Sequence, residues 1–285
     1  MFYRNILLSA ALALGVVKSA TLPGLLPRAS SSGCSTTGAV SCHNTTVQKN
    51  LCCFEAQFWD TSGPGTALPQ TWTIHGLWPD NCDGSLQENC DPSRDYTDIT
   101  SILQNQEQTD LLNFMNKVWV DINGQNEALW EVSVKQFFKD ASIYEPFRVQ
   151  HEWATHGTCF STLVPSCLTA GSPPGTDAVD FFLTVRRLYE SLPTYQWLAQ
   201  GGITPSSSAT FTLSQITDVL QQGVIPALDC NGSALNQISW YFNVQGSVID
   251  GNFIMIDAPS QGSCASSGLT YPPKPSSSGG GGDGD

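Results

Sequence analysis

Bulky apolar and polar residues alternate through Thr71-Trp72-Thr73-Ile74-His75, which predicts a strand with His75 on the face opposite Trp72 and Ile74. Ser239 to Val244 and Asn252 to Ile256 read as further strands, whereas Leu111 to Val120 and Val179 to Leu198 repeat apolar residues at helical spacing. The mixture predicts an α+β fold. Residues 34–270 carry no low-complexity break and no internal repeat, so they read as one domain. Residues 21–33 are Pro- and Ser-rich and read as a flexible N-terminal segment. From Tyr271 to residue 285 the chain turns to Pro, Ser and Gly, a composition expected to bury nothing and to form a disordered tail. At the N-terminus, Arg4 precedes an apolar run from Ile6 to Val17 that is too short to span a bilayer. Lys18, Ser19 and Ala20 follow, and residues 1–20 are expected to be a secretory signal peptide rather than a membrane anchor.

Composition sharpens this reading. The chain has 285 residues, with 25 acidic against 12 basic side chains and a net charge of −13. Loss of residues 1–20 would remove Arg4 and Lys18 but no acid, leaving −15. Such a chain is no nucleic-acid packaging protein, and a polyanion could be handled only by a few placed groups working against the field of the whole molecule. Ten cysteines predict an oxidising compartment. Cys52 and Cys53 are adjacent and point in different directions, so they are expected to clamp different partners. The absence of paired Cys-x-x-Cys knuckles argues against metal ligation. Asn44-Thr45-Thr46 and Asn231-Gly232-Ser233 are glycosylation sequons of a secreted chain.

The candidate chemistry lies in four histidines: His43, His75, His151 and His156. His43 neighbours a sequon and reads as an exposed loop residue. His151 and His156 are five apart, about 140° round an α-helix, so one helix face does not present both to a metal as the four-residue zinc-protease spacing does. That disfavours a secreted zinc hydrolase. Glu152 and His156, at i and i+4, share a helix face, where the carboxylate can orient the imidazole and favour its charged form.

Two segments together carry more than either alone. Ile74-His75-Gly76-Leu77-Trp78-Pro79-Asp80 and His151-Glu152-Trp153-Ala154-Thr155-His156-Gly157-Thr158-Cys159 resemble the two active-site segments of the ribonuclease T2 family, secreted acid ribonucleases related to plant self-incompatibility ribonucleases. The resemblance spans roughly Cys34 to Cys264. It implies a central, mainly antiparallel sheet flanked by helices. It also implies five disulfides: Cys34–Cys53, Cys42–Cys82, Cys52–Cys167, Cys90–Cys159 and Cys230–Cys264. The implied activity is cleavage of single-stranded RNA to 2′,3′-cyclic phosphates and then to 3′-phosphates, without metal or other cofactor, by a monomeric protein that is extracellular or vacuolar. RNA supplies its own 2′-hydroxyl nucleophile, so two proton-transfer groups and a stabiliser of the pentacoordinate phosphorus suffice. By resemblance, His156 is the base and His75 the acid of the cyclising step, Glu152 assists at the transition state, and His151 holds the phosphate. Trp78 and Asp80 match positions that stack on a base and hydrogen-bond its edge.

Three departures from the family pattern stand out. A further base-stacking aromatic is absent, Leu86 standing in its place, which points to low base specificity with a mild purine preference. Thr155 occupies a position where the family usually has Lys, a change that weakens transition-state neutralisation and makes a catalytically weak RNA-binding or cytotoxic protein conceivable. Finally, residues 132–150 interrupt a segment that in the family runs directly into the histidine motif. They hold Lys135, Lys139 and Arg148, three of the chain's 12 bases. Val132-Ser133 can be encoded as GTGAGT and Gln150 as CAG, so the segment reads either as retained intron sequence or as a surface loop with a short amphipathic helix around Val134, Phe137 and Phe138. The acidic composition predicts an acidic activity optimum, because carboxylates lose charge and histidines gain it near pH ~4–5.

Overall fold

A computed structural model describes residues 52–80, 86–131, 152–221 and 223–275, without the side chains of residues 52–54 and 245. The signal peptide, Asn44, His43, His151 and the insertion 132–150 lie outside the described residues, as do Cys34, Cys42, Cys82 and the side chains of Cys52 and Cys53.

The described strands are β1 (Cys52–Phe58), β2 (Thr73–Asp80), β3 (Thr210–Phe211), β4 (Ala227–Asn231), β5 (Ala234–Gln245), β6 (Asn252–Ile256) and β7 (Leu269–Thr270). They form one sheet in the order β2-β1-β5-β7-β3, with β4 and β6 also pairing with β5. All pairs are antiparallel except β5 with β7. The long β5 is the spine, and its period-2 pattern explains why. Ile238, Trp240, Phe242 and Val244 all face the core, while Gln237, Ser239, Tyr241 and Asn243 share the other face. Among the described residues β2 is an edge strand, which is where Pro79 is tolerated.

Helices α1 (Ile99–Asn105), α2 (Thr109–Val118), α3 (Asn126–Trp130), α4 (Thr176–Ser191), α5 (Thr194–Gln200) and α6 (Leu213–Leu220) complete the fold. Helix α4 buries Val179, Phe181, Phe182, Val185 and Leu188 and packs on β1 and β2. The helical spacing from Val179 to Leu198 is divided into α4 and α5 at Pro193, which cannot continue a helix and instead stands just before α5. Helix α6 begins with a reciprocal capping box between Thr212 and Gln215.

The expected disordered tail begins too early at Tyr271. Tyr271 is fully buried, accepts a hydrogen bond from Trp72 Nε1 at 3.1 Å and packs on Trp59 with ring centroids 4.6 Å apart. Lys274 is buried as well, donating to the carbonyls of Gly65 and Thr71 and standing 4.5 Å above the Trp59 ring. A Pro-rich composition concealed a strap that closes one end of the core. Burial pushes the Lys274 ammonium down to about 8, partly offset by Asp60. Ending the chain at Thr270 is expected to cost at least about 3 kcal/mol, the scale of deleting one buried aromatic, read as a lower urea midpoint.

Glu55 on β1 is fully buried on the core face, opposite Leu77 of β2 and Trp240 of β5. Burial holds its carboxyl well above the ordinary value of 4.5, only partly offset by the Gln57 amide. The native state therefore keeps a proton that the unfolded chain releases above pH 4.5. Stability from this group is fully present below that pH and is lost as pH rises toward the folded-state value. Glu55→Gln removes the dependence. Its urea midpoint should match the parent at pH 4 and exceed it at pH 7, each tenfold difference in proton affinity being worth about 1.4 kcal/mol.

Candidate active site

The site is built on the edge strand. Ala56 pairs with Gly76 and Gln57 with Ile74, so the β1–β2 register shifts at His75, which has no opposite number on β1. Such a bulge re-aims a side chain. Phe58 stacks on the His75 ring at 4.0 Å and 17°, and the Trp78 indole meets its edge at 4.7 Å and 79°. His75 Nδ1 lies 2.8 Å from Gln237 Oε1 on β5, and the His75 carbonyl accepts from Trp119 Nε1 at 3.0 Å.

Residues Glu152–His156 form a π-helical turn, a form concentrated at functional sites. The α-helical spacing expected from the sequence is therefore replaced by a wider one. Trp153 anchors the turn from behind: it is fully buried, donates to the Arg94 carbonyl at 2.6 Å and stacks on Tyr96. Gly157 is required there, since a Cβ would lie 2.4 Å from the Trp153 ring. The buried Arg94 donates to the carbonyls of Thr158 and Leu163 and pairs with Asp177 and Asp91. The Cys90–Cys159 disulfide and a 2.8 Å hydrogen bond from the Asn89 amide to the Thr155 carbonyl hold the turn from the side.

The turn delivers two groups to β2. The fully buried Glu152 carboxylate lies over Gly76 and accepts from the Leu77 amide and from Trp78 Nε1, at 3.1 Å. Burial holds this carboxyl well above its ordinary value, with the Trp78 and Leu77 hydrogen bonds pulling the other way. His156 stacks on Trp78 at 4.5 Å and 16°. A single indole thus touches both imidazoles and the carboxylate.

Asp80 sits two residues beyond Trp78 on the same face, its carboxyl pushed up to about 7 by burial. Leu86, which replaces the expected aromatic, bridges to Asp80 and is 63% exposed. The Thr155 hydroxyl is buried and finds no hydrogen-bond partner among the described residues. On the other side of His75 a cleft of about 250 Å³ is lined by Phe58, Asp60, Asp121, Ile122 and Asn236.

Residues 40–251 match the family model described as the Ribonuclease T2 family. The chain belongs to the ribonuclease T2 family. It is 53% identical to ribonuclease Le2 of Lentinula edodes over 86% of this chain and 98% of that protein. It is 39% identical to ribonuclease T2 of Aspergillus oryzae over 83% of this chain and 82% of that protein. Among solved structures, the T2 ribonuclease Actibind superposes with a TM-score of 0.70 at 38% identity, covering 87% of this chain and 99% of its own. Human RNase T2 shares the fold, with a TM-score of 0.51 at 24% identity over 79% of this chain and all of that one. This ribonuclease T2 family member is accordingly a T2-type endoribonuclease with an α+β fold.

The ribonuclease's Cys90–Cys159 and Cys230–Cys264 disulfides pair as the resemblance implies, and Cys167 is also disulfide-bonded. They suit an oxidising compartment. No described helix is long and apolar enough to cross a membrane. Asn231 of the second sequon lies exposed at the β4–β5 turn. Sequence reasoning missed Gln237, Phe58 and Trp119, the side chains that hold His75. They come from other strands and a helix end, and no local pattern marks them. Gly76 and Gly157 stand in the quoted segments, but their need becomes visible only with Glu152 and Trp153 packed against them.

Proposed function

We propose that this ribonuclease cleaves single-stranded RNA with His75 and His156 as its acid–base pair. The observation that carries the reading is their joint contact with Trp78, at 4.7 and 4.5 Å, although 81 positions separate them in sequence. In the cyclising step His156 takes the proton of the 2′-hydroxyl, the 2′-oxygen attacks phosphorus, and the departing 5′-oxygen receives a proton from His75. Water then opens the 2′,3′-cyclic phosphate with the two roles reversed, leaving a 3′-phosphate. Glu152 supports the charged phosphorane and His151 holds the phosphate. DNA lacks the nucleophile and is bound at most.

Trp78 and Asp80 receive the base. Below pH 7 Asp80 becomes neutral and both donates and accepts, which suits low specificity with a mild purine preference. Thr155 supplies no charge to the transition state, and the histidines and Glu152 carry the reaction without it. The protein acts as an extracellular or vacuolar monomer.

The test is digestion of RNA homopolymers in EDTA across pH, with detection of the cyclic intermediate. Activity should peak near pH ~4–5, where the chain's net negative charge is largely lost and repels RNA least. A flat profile from pH 4 to 8, or products lacking a cyclic intermediate, overturns the reading.

A further inference from the structure

We propose that Gln237 is a positioning residue for this reaction: its amide oxygen fixes the tautomer and ring plane of His75 and so decides which nitrogen exchanges protons with RNA. The inference rests on the reading of His75 as one of the acid–base pair.

The arrangement is built on rigid elements. Gln237 and Ser239 share one face of β5, and Gln237 Nε2 donates to Ser239 Oγ at 3.0 Å. In this arrangement the amide nitrogen points to Ser239 and Oε1 points to His75 Nδ1 at 2.8 Å. Ser239 is only 2% exposed, so the contact is shielded from competing water. Phe58, stacked at 4.0 Å, keeps the imidazole from tilting out of its plane.

A proton-shuttling imidazole must keep one nitrogen committed while the other gains and loses its proton. An amide oxygen accepts from Nδ1–H in both protonation states, so the exchange is confined to Nε2. A carboxylate at 237 would also fix the tautomer, but it would stabilise the imidazolium and make His75 a weaker acid. The neutral amide gives orientation without that penalty, which suits a group that must protonate a leaving oxygen in acid.

Other ionisable groups surround the ring. Asp60 and Asp121 line the cleft it faces, Asp229 of β4 is paired with Gln237, Glu152 lies over Gly76, Asp80 is further along β2, and His156 stands across Trp78. The neutral Gln237→Leu adds no charge beside them, so its difference from the parent isolates the amide, whereas Gln237→Glu also sets a carboxylate opposite Asp229.

The experiment compares the parent, Gln237→Leu and Gln237→Glu by long-range proton–nitrogen NMR of His75. It is run in parallel with pH–rate profiles for cyclisation of poly(A) and for hydrolysis of adenosine 2′,3′-cyclic phosphate. In the parent, neutral His75 should carry its proton on Nδ1. Gln237→Leu should lower the His75 pKa and cut kcat about tenfold or more with KM within about twofold. Gln237→Glu should raise the pKa by about 1 unit and retain most of kcat. Because His75 is the acid in one step and the base in the other, its pKa governs opposite limbs: the alkaline limb of cyclisation and the acid limb of hydrolysis should move together. A proton on Nε2 in neutral parent His75, or a pKa unchanged or raised in Gln237→Leu, overturns the inference. If Gln237→Leu fails to fold, the parent's tautomer and the isosteric Gln237→Glu decide the matter. Full activity in His75→Ala would instead defeat the catalytic reading of His75 itself, whatever is seen at residue 237.

Discussion

Alanine in place of His156 is expected to lower kcat for poly(A) cyclisation by roughly 10²- to 10⁴-fold, the contribution of one positioned proton-transfer group, with KM changed only a few-fold. His75→Ala should fall in the same range. Equal penalties follow from the proposed pairing, in which each step needs one ring to take a proton and the other to give one, so losing either stalls both halves of the exchange. The double variant should therefore be scarcely worse than either single one, since groups that act as a unit lose their effects together. Structural damage is not the cause, because His156 contributes a stacking contact on Trp78 worth about 0.5–1.5 kcal/mol. Steady-state rates at pH 4.5, with a urea melt of each variant, check this. A loss of less than tenfold in either single variant, or multiplicative losses in the double, would show that the two rings do not work as a pair.

Gly76→Ala is expected to be severe in a different way. A Cβ there would lie 1.7 Å from Glu152 Oε2 and 2.2 Å from its carboxyl carbon. The carboxylate cannot retreat, being fully buried and held by the Leu77 amide and Trp78 Nε1. Nor can the strand step aside without losing its pairing at Ala56. Either the buried acceptor loses its donors, at about 1–3 kcal/mol, or the backbone moves against a packed layer at a similar cost. Stability should drop by about 3 kcal/mol or more and activity should nearly vanish. A second substitution separates the two effects: Glu152→Ala in the Gly76→Ala background removes the obstruction and should restore much of the urea midpoint while leaving the rate low. If the double variant melts no higher than Gly76→Ala alone, the clash is not what destabilises it.

How far the sequence disclosed this molecule depended on whether the controlling interaction was local. Asn252 to Ile256 is the observed β6, and Leu111 to Val120 holds most of α2, because their apolar periods are set by one face against one core. The strand through His75 begins two residues later than the alternation suggested and runs on through Pro79 to Asp80, since an edge strand accepts proline where an inner one would not. Helix α6 was overlooked although Thr212 and Gln215 spell its start. Strand β1, which joins the edge strand to the spine, carries Cys52, Cys53, Glu55 and Gln57 and shows no clean alternation, because its outer face is itself covered.

The same division runs through the site. His75, Trp78, Asp80, Glu152 and His156 could be named from two short segments, and the structure brings His75, Trp78, Glu152 and His156 into one cluster. Their mutual geometry was not legible. The turn Glu152–His156 winds more widely than an α-helix because Trp153 is drawn into the core behind it, and the Glu152 carboxylate engages β2. Gln237 meets His75 from 162 residues away, a distance at which no spacing rule operates. Tyr271 and Lys274 were hidden by their neighbours: a Pro- and Gly-rich stretch looks solvated unless a pocket is known to await its two exceptions.

The tie between Cys90 and Cys159 bears on when this enzyme becomes able to cut RNA. It joins positions 69 residues apart and fastens the segment that ends in His156, restricting the unfolded chain by an amount worth about 4 kcal/mol. Thiol-reducing surroundings withhold that fastening. The cutting machinery is thus complete only where an oxidant has closed that bond.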